Sequence, residues 1–116
     1  MEFDVHRTTA LGRPALRVRG ELDIATAPRL AAAVESQLSQ QPQSLVVDLT
    51  DTTFLDSSGA RQLARIARRA AADGVSLEVV CPRANRPVRL VVDLLELQAL
   101  VPIVESPSRT DDGVGP

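Results

Sequence analysis

The first 40 residues of the chain change from an alternating pattern to a helical one. Apolar residues at 3, 5, 16 and 18 face one way and arginines the other, and the turn-forming Gly12 and Pro14 lie between the two runs. Such alternation predicts two antiparallel strands joined by a short loop. From residue 27 to about 40 the apolar positions recur at helical spacing, which predicts an amphipathic helix capped by Thr26.

Two runs in the middle of the chain predict a buried strand and a strongly amphipathic helix. Residues 44–49 form a short, apolar, β-branched run, which is typical of a central strand covered on both faces. A polar stretch and the pair Phe54-Leu55 follow, and the chain then reaches D-S-S-G at 56–59. From there to Asp73-Gly74 the apolar residues and the arginines lie on opposite sides of a predicted helix.

The last third of the chain predicts a strand, a helix and a short edge strand. Residues 75–81 form another apolar run, and Asn85 then caps a predicted helix whose second position is Pro87. A final apolar piece at 101–104 suits an edge strand, because Pro102 cannot donate a hydrogen bond to a neighbouring strand.

The order of these elements, ββαβαβα with a possible final strand, predicts one α/β domain over residues 1–105. Strands that alternate with helices imply a mixed sheet of about four to five strands with flanking helices. Residues 106–116 have almost nothing to bury, and we expect them to form a disordered tail.

Composition narrows the class of protein. The chain has 116 residues, a net charge of −2, two aromatic residues and one cysteine, and its basic residues other than His6 are all arginine. The charge and the lack of aromatic residues argue against nucleic-acid binding. A single cysteine excludes an internal disulfide and a multi-thiolate zinc site, and the absence of lysine excludes a P-loop. We therefore predict no cofactor and no metal.

The location of the protein follows from what the sequence lacks. No apolar run approaches the roughly 20 residues that a membrane-spanning helix needs, and the first residues do not have the layout of a secretory signal. We expect a cytoplasmic protein that does not bind a membrane.

The best candidate for chemistry is the serine pair where the middle strand passes into its helix. Free N–H groups and the helix dipole stabilise an anion at such a position, so a phosphoserine would be tolerated and would repel a partner fitted to the hydroxyl. Simple helix capping explains the same residues. Serine hydrolysis is disfavoured, because the motif is not G-x-S-x-G and His6 lies in the first strand. The sequence thus predicts a non-enzymatic protein that another protein modifies.

Two further clusters have less specific interpretations. The carboxylates of Glu21 and Asp23, at the end of the second strand, suggest metal binding or acid–base chemistry, but a turn with solvated acids is the favoured explanation. Cys81 is expected to be a small buried apolar residue. Four arginines share one side of the middle helix, where they form either a solvated face or a contact with an acidic partner: Arg61, Arg65, Arg68 and Arg69.

Taken together, four motifs resemble the STAS domain, named for sulphate transporters and anti-sigma factor antagonists. The resemblance spans about residues 2–105, and more narrowly the chain looks like a stand-alone bacterial anti-sigma factor antagonist. The motifs are G-E-L-D at 20–23, T-A-P at 26–28, V-V-D-L at 46–49 and F-L-D-S-S-G at 54–59.

The resemblance implies a specific switch. Ser57 corresponds to the phosphoacceptor of the family, Asp56 would position it, and Asp23 matches an acidic residue near the acceptor. The unphosphorylated form would bind an anti-sigma factor, usually a serine kinase of the histidine-kinase-like ATPase fold, and so free the sigma factor. Phosphorylation would end binding, and a serine phosphatase would reset the cycle. Thr26, Ser58, Gly59, Ala60 and Arg61 are the further residues expected to contact the partner.

The chain departs from the family at several points. D-S-S-G is usually followed by leucine and often glycine, whereas Ala60 and Arg61 follow here, which suggests a different choice of partner.

An alternative role is that of a STAS subunit in a lipid-transport ATPase complex, without phosphorylation.

Overall fold

The computed structural model describes residues 2–108, which form a six-stranded mixed sheet with three α-helices. This confirms the predicted α/β fold. In chain order the elements are β1 (Asp4–Ala10), β2 (Arg13–Leu22), α1 (Ala27–Leu38), β3 (Ser44–Asp48), β4 (Thr52–Leu55), α2 (Ser57–Ala72), β5 (Ser76–Val80), α3 (Arg86–Leu94) and β6 (Ile103–Val104), with a short 3-10 helix at Leu97–Ala99.

The sheet has the order β1-β2-β3-β5-β6, with β4 paired to the far end of β2. Only β1 and β2 are antiparallel, as predicted, and every other pairing is parallel. The strand β2 is long enough to pair with β3 along its middle and with β4 along its last residues. Gly20 allows this bend, since its φ of +94° is accessible to glycine and an added Cβ would lie 3.0 Å from the backbone of Glu2.

Besides the short 3-10 helix at Leu97–Ala99, the strand β4 is an element that the sequence pattern did not indicate. Its four residues contain two exposed neighbours, Thr53 and Phe54, so they show neither alternation nor a continuous apolar run. The count of about four to five strands is therefore one short of the six observed. The strand matters for function because α2 begins directly after it.

The helices pack on one face of the sheet. The main core joins alternate strand residues such as Leu16, Val47 and Val79 to Leu30 of α1 and Leu63 of α2, all of them fully buried. The residues between them in the strands point to the other face. There Ala15, Val46 and Val80 form a smaller cluster that includes no residue of the three described helices. Leu45, Val46 and Val47 are thus buried on both faces, as predicted, whereas Ser44 and Asp48 are partly exposed.

The second face carries a buried ion pair and a contact with the end of the described chain. Arg13 is only 3% exposed, and its Nη1 donates to Oε1 of Glu78 at 2.8 Å and to the carbonyl oxygen of Ser108 at 2.9 Å. The backbone N–H of Ser108 also donates to Glu78. Packing therefore continues past residue 105, and the rest of the predicted tail, 109–116, lies outside the described residues.

The predicted side-chain caps of α1 and α3 are wrong. Thr26 and Asn85 stand at the N-cap positions, but neither side chain caps its helix. Pro28 and Pro87 each remove the N–H of the second helical residue but leave that of the third, so the missing caps reflect other bonds of the two side chains. The side chains bond neighbouring loops instead: Thr26 Oγ1 donates to the carbonyl of Glu21, and Asn85 Nδ2 donates to the carbonyls of Leu49 and Thr52.

Candidate functional site

The site predicted from the sequence forms at one edge of the sheet, where two helices begin. Because β2 and β4 are parallel neighbours, their carboxyl ends meet, with Leu22 opposite Leu55. The strand β2 leads through the loop 23–26 into α1, and β4 leads directly into α2. The backbone N–H of Asp56 donates to the carbonyl of Leu22 at 3.3 Å, which holds the loop 23–26 beside the start of α2.

Asp56 is the N-terminal cap of α2. Its backbone is extended, with φ −111° and ψ −175°, and its Oδ1 accepts a hydrogen bond from the N–H of Gly59 at 2.9 Å. This satisfies one of the free N–H groups of the first turn. The capping interpretation is therefore correct for Asp56, and the same bond fixes the position of the serine that follows.

Ser57 is the first residue of α2 and is exposed. Its hydroxyl forms no hydrogen bond to any other residue in the described range 2–108. The N-terminal end of a helix carries partial positive charge, so a phosphoryl group on this oxygen would be electrostatically favourable. The arrangement leaves the hydroxyl available both to a partner and to a modifying enzyme.

Gly59, which the resemblance places among the partner contacts, is packed inside the domain. The residue is buried, and an added Cβ would lie 2.5 Å from the carbonyl oxygen of Leu22 and 2.7 Å from Cδ1 of Leu55. The glycine lets the first turn of α2 pack against the ends of β2 and β4. Its contribution to the site is to place Ser57.

The remaining predicted residues of α2 differ in accessibility. Ser58 is partly buried, and Arg61 is exposed on the same side of the helix as Ser57. Ala60 is 4% exposed and belongs to the main core. Its side chain is therefore not the apolar partner contact that the sequence suggested, because helix packing covers it.

Asp23 and Thr26 shape the loop between β2 and α1. Oδ1 of Asp23 accepts hydrogen bonds from the N–H of Ala25 at 3.0 Å and of Thr26 at 3.1 Å, and the N–H of Asp23 donates to Thr26 Oγ1 at 2.9 Å. These bonds hold Ile24 at the tip of the loop, where 75% of it is exposed. Sequence reasoning missed Ile24, although an isoleucine between two polar loop motifs is the signal that would have found it.

Other sequence candidates lie elsewhere or have structural roles. Within residues 2–108 no three His, Cys, Asp or Glu side chains are grouped in a way that could hold a metal ion. Cys81 is buried as predicted, and burial raises the pKa of its thiol. A cavity of about 860 Å³, lined by His6, Arg17 and Arg19 among others, contains none of the predicted site residues.

The four arginines of α2 separate into two groups. Arg69 pairs with Glu35 of α1 and with Asp73, and these contacts raise the pKa of its guanidinium, the hydrogen bond to Asp73 most. Arg61, Arg65 and Arg68 form no ion pair with any acidic residue in the described part of the chain.

Comparisons with known proteins agree with this architecture. The model of the STAS domain family matches residues 5–108. An anti-sigma factor antagonist from Mycobacterium paratuberculosis is 26% identical in sequence, with a TM-score of 0.71 over 92% of this chain and 87% of that chain. The anti-sigma factor antagonist SpoIIAA in its unphosphorylated form shares the fold, at 20% identity and a TM-score of 0.67 over 89% of this chain and 88% of that chain.

A search of curated protein sequences returned no match. No helix within residues 2–108 combines the length and the apolar content needed to cross a membrane.

Proposed function

Because the chain belongs to the STAS domain family, we propose that it is an anti-sigma factor antagonist whose binding to its anti-sigma factor depends on the state of Ser57. The single observation that carries this proposal is the placement of Ser57. The serine is exposed, lacks a hydrogen bond within residues 2–108, and begins a helix that Asp56 and Gly59 hold in position.

Phosphorylation would act on the partner more than on the fold. A phosphoryl group adds about −1.5 to −2 charges at neutral pH and three acceptor oxygens. At the first residue of α2 this charge faces the positive end of the helix, so α2 stays folded. A partner surface fitted to the neutral hydroxyl would instead meet added volume and charge, next to the carboxylate of Asp56. The free hydroxyl therefore corresponds to the bound state.

The partners are those that the resemblance to anti-sigma factor antagonists implies. The anti-sigma factor is a serine kinase of the histidine-kinase-like ATPase fold, which phosphorylates Ser57 from ATP and is thereby released. A serine phosphatase restores the hydroxyl. The protein acts in the cytoplasm by binding alone, without a cofactor of its own. The loop 23–26 follows Leu22, whose carbonyl accepts the N–H of Asp56, and the exposed Ile24 of this loop supplies the apolar part of the contact surface.

Binding measurements with defined partners test the proposal. Each serine kinase of this fold encoded in the host genome is purified and titrated with the protein in the presence of ADP, so that no phosphoryl transfer occurs. We expect one kinase to bind the wild type and Ser57→Ala with similar affinity, and Ser57→Asp about tenfold or more weakly, because the carboxylate imitates part of the phosphate charge. Ser36→Asp, at an exposed position of α1, is the control for added charge.

Two outcomes would contradict the proposal. Equal affinity of the wild type and Ser57→Asp for the bound kinase would show that charge at Ser57 does not control binding. Binding to no kinase, together with co-purification with a transporter ATPase from the host, would favour the role of an assembly subunit.

A further inference from the structure

The exposed side of α2 carries a row of three arginines, Arg61, Arg65 and Arg68, which we call the arginine stripe. We propose that this stripe is a docking surface for an acidic face of the protein that binds at Ser57. The inference rests on the proposed function for the identity of that protein, and it adds a second contact region with a defined charge.

The stripe is continuous with Ser57. The three arginines follow Ser57 by four, eight and eleven residues, and all four residues are exposed. At 100° per residue these positions fall within an arc of about 80° on one side of the helix, and the stripe extends about 10 Å along it. A protein that covers Ser57 and lies along α2 would therefore contact the stripe as well.

The charge of the stripe is not neutralised by the described part of the chain. Arg69, the next arginine on α2, pairs with both Glu35 and Asp73. Arg61, Arg65 and Arg68 pair with no acidic side chain in residues 2–108. The helix contains four arginines and no acidic residue, although the whole chain has a net charge of −2. The positive charge is thus a local feature of this surface.

Repulsion among the arginines of the stripe destabilises the fold. Arg65 has Arg61 one turn before it and Arg68 and Arg69 one turn after it, and like charges at these spacings destabilise a helix. The opposite side of α2 makes the contacts that hold it in the domain, through residues such as Leu63, Ile66 and Ala70. Packing therefore does not require arginine at these three positions.

A folded protein suits the stripe better than nucleic acid or a membrane does. Polyanions bind through many contacts, often six to ten phosphates for a DNA-binding protein, whereas the stripe offers three charges on an otherwise acidic molecule. The net negative charge also repels an extended polyanion at long range. A short acidic helix or strand on the surface of a partner matches both the length and the charge of the stripe.

Association kinetics at several salt concentrations test the inference. The kinase that binds the wild type is measured against Arg61→Gln/Arg65→Gln/Arg68→Gln, in about 50 mM and about 500 mM salt, which weakly and strongly screen surface charges. The matched control is Arg7→Gln/Arg19→Gln/Arg86→Gln, which removes the same charge from exposed arginines on β1, β2 and α3.

We expect the stripe variant to associate about tenfold more slowly than the wild type at low salt, with the difference nearly lost at high salt. The control variant should follow the wild type much more closely. If the two variants behave alike while the kinase still binds, the inference is overturned and the proposed function stands.

Two further results would also overturn the inference. Failure of every kinase to bind the wild type would overturn this inference together with the proposed function. Stripe-dependent binding to duplex DNA or to phosphatidylglycerol vesicles, with kinase binding unaffected, would show that the arginines serve a polyanion instead.

Discussion

Gly59 links the chemistry of the site to the packing of the fold. Its backbone N–H donates a hydrogen bond to the capping carboxylate of Asp56, and its lack of a side chain lets α2 approach Leu22 and Leu55. Any side chain here would push the first turn of α2 away from the sheet and would move Ser57 with it. One residue thus sets both the stability of this part of the fold and the position of the Ser57 hydroxyl.

Replacing Gly59 with alanine tests this view at the residue scale. The added Cβ would lie 2.5 Å from a backbone oxygen that cannot rotate away, so we expect Gly59→Ala to lower the free energy of unfolding by about 3 kcal/mol in urea denaturation. Ser58→Ala, at the preceding and partly exposed position, should change it by less than about 0.5 kcal/mol. Equal stability of Gly59→Ala and the wild type would show that α2 is not packed as described.

The site residues differ in how far the sequence could predict them. Ser57 and Asp56 were predictable because their roles are local: a cap, a helix start and an exposed hydroxyl depend only on neighbouring residues. The burial of Ala60 was predictable as well, because helical spacing places it on the inward side of α2. The burial of Gly59 was not, because its close packing depends on Leu22, which lies more than 30 residues away in the chain. The exposure of Ile24 likewise depends on the hydrogen bonds that fold its loop.

At the scale of elements, α2 is the clearest feature in both sequence and structure. Its apolar and arginine positions separate cleanly by helical spacing, so its existence and its end at Asp73-Gly74 were predictable. The strand β4 was not predictable, because its residues form a strand only through pairing with the bent end of β2. The caps of α1 and α3 were predicted wrongly because the side chains of Thr26 and Asn85 bond the carbonyls of neighbouring loops instead.

The arginine stripe should make α2 less stable than its packing alone would allow. We expect Arg65→Gln to raise the free energy of unfolding by about 0.5–1 kcal/mol at low salt, since it relieves repulsion from Arg61, Arg68 and Arg69. Thermal or urea denaturation measures the effect, which should shrink in about 1 M salt as charges are screened. Arg86→Gln, on α3, is the control. A loss of stability in Arg65→Gln would mean that Arg65 contributes to the fold.

At the scale of the whole molecule, the three helices of residues 2–108 pack on the same face of the sheet. On the second face Arg13 and Glu78 form a largely buried pair, to which Ser108 adds hydrogen bonds. Burial by itself raises the pKa of Glu78, but the hydrogen bonds from Ser108 and the bond and charge of Arg13 outweigh it and lower the pKa below its usual range. This long-range contact was not visible in the sequence, because it joins β2, β5 and the end of the described chain.

The lowered pKa of Glu78 predicts a dependence of stability on pH. A carboxyl group with a depressed folded-state pKa contributes stability above its unfolded-state value, near 4.5, and loses that contribution as the pH falls through the folded-state pKa. We expect Glu78→Gln to cost about 2 kcal/mol at pH 7, because Arg13 keeps a buried charge without its partner.

Urea denaturation between about pH 7 and pH 3 measures this dependence, since acid denaturation reflects the protonation of paired carboxylates. The difference in the free energy of unfolding between the wild type and Glu78→Gln should become smaller below about pH 4.5. Glu2→Gln, at an exposed position, serves as the control. If the free energies of unfolding of the wild type and Glu78→Gln change with pH in the same way, the lowered pKa of Glu78 is contradicted.

The most direct test of the central claim is a phosphosite measurement. The protein is incubated with ATP and each host serine kinase of the histidine-kinase-like fold, and its intact mass and the peptides across residues 54–65 are measured. Ser58→Ala, which retains Ser57, and Ser57→Ala are treated alike. We predict one added phosphate on Ser57 in the wild type and in Ser58→Ala, and none in Ser57→Ala. Phosphate on Ser58 or another residue, or no phosphate with any of these kinases, would contradict the account.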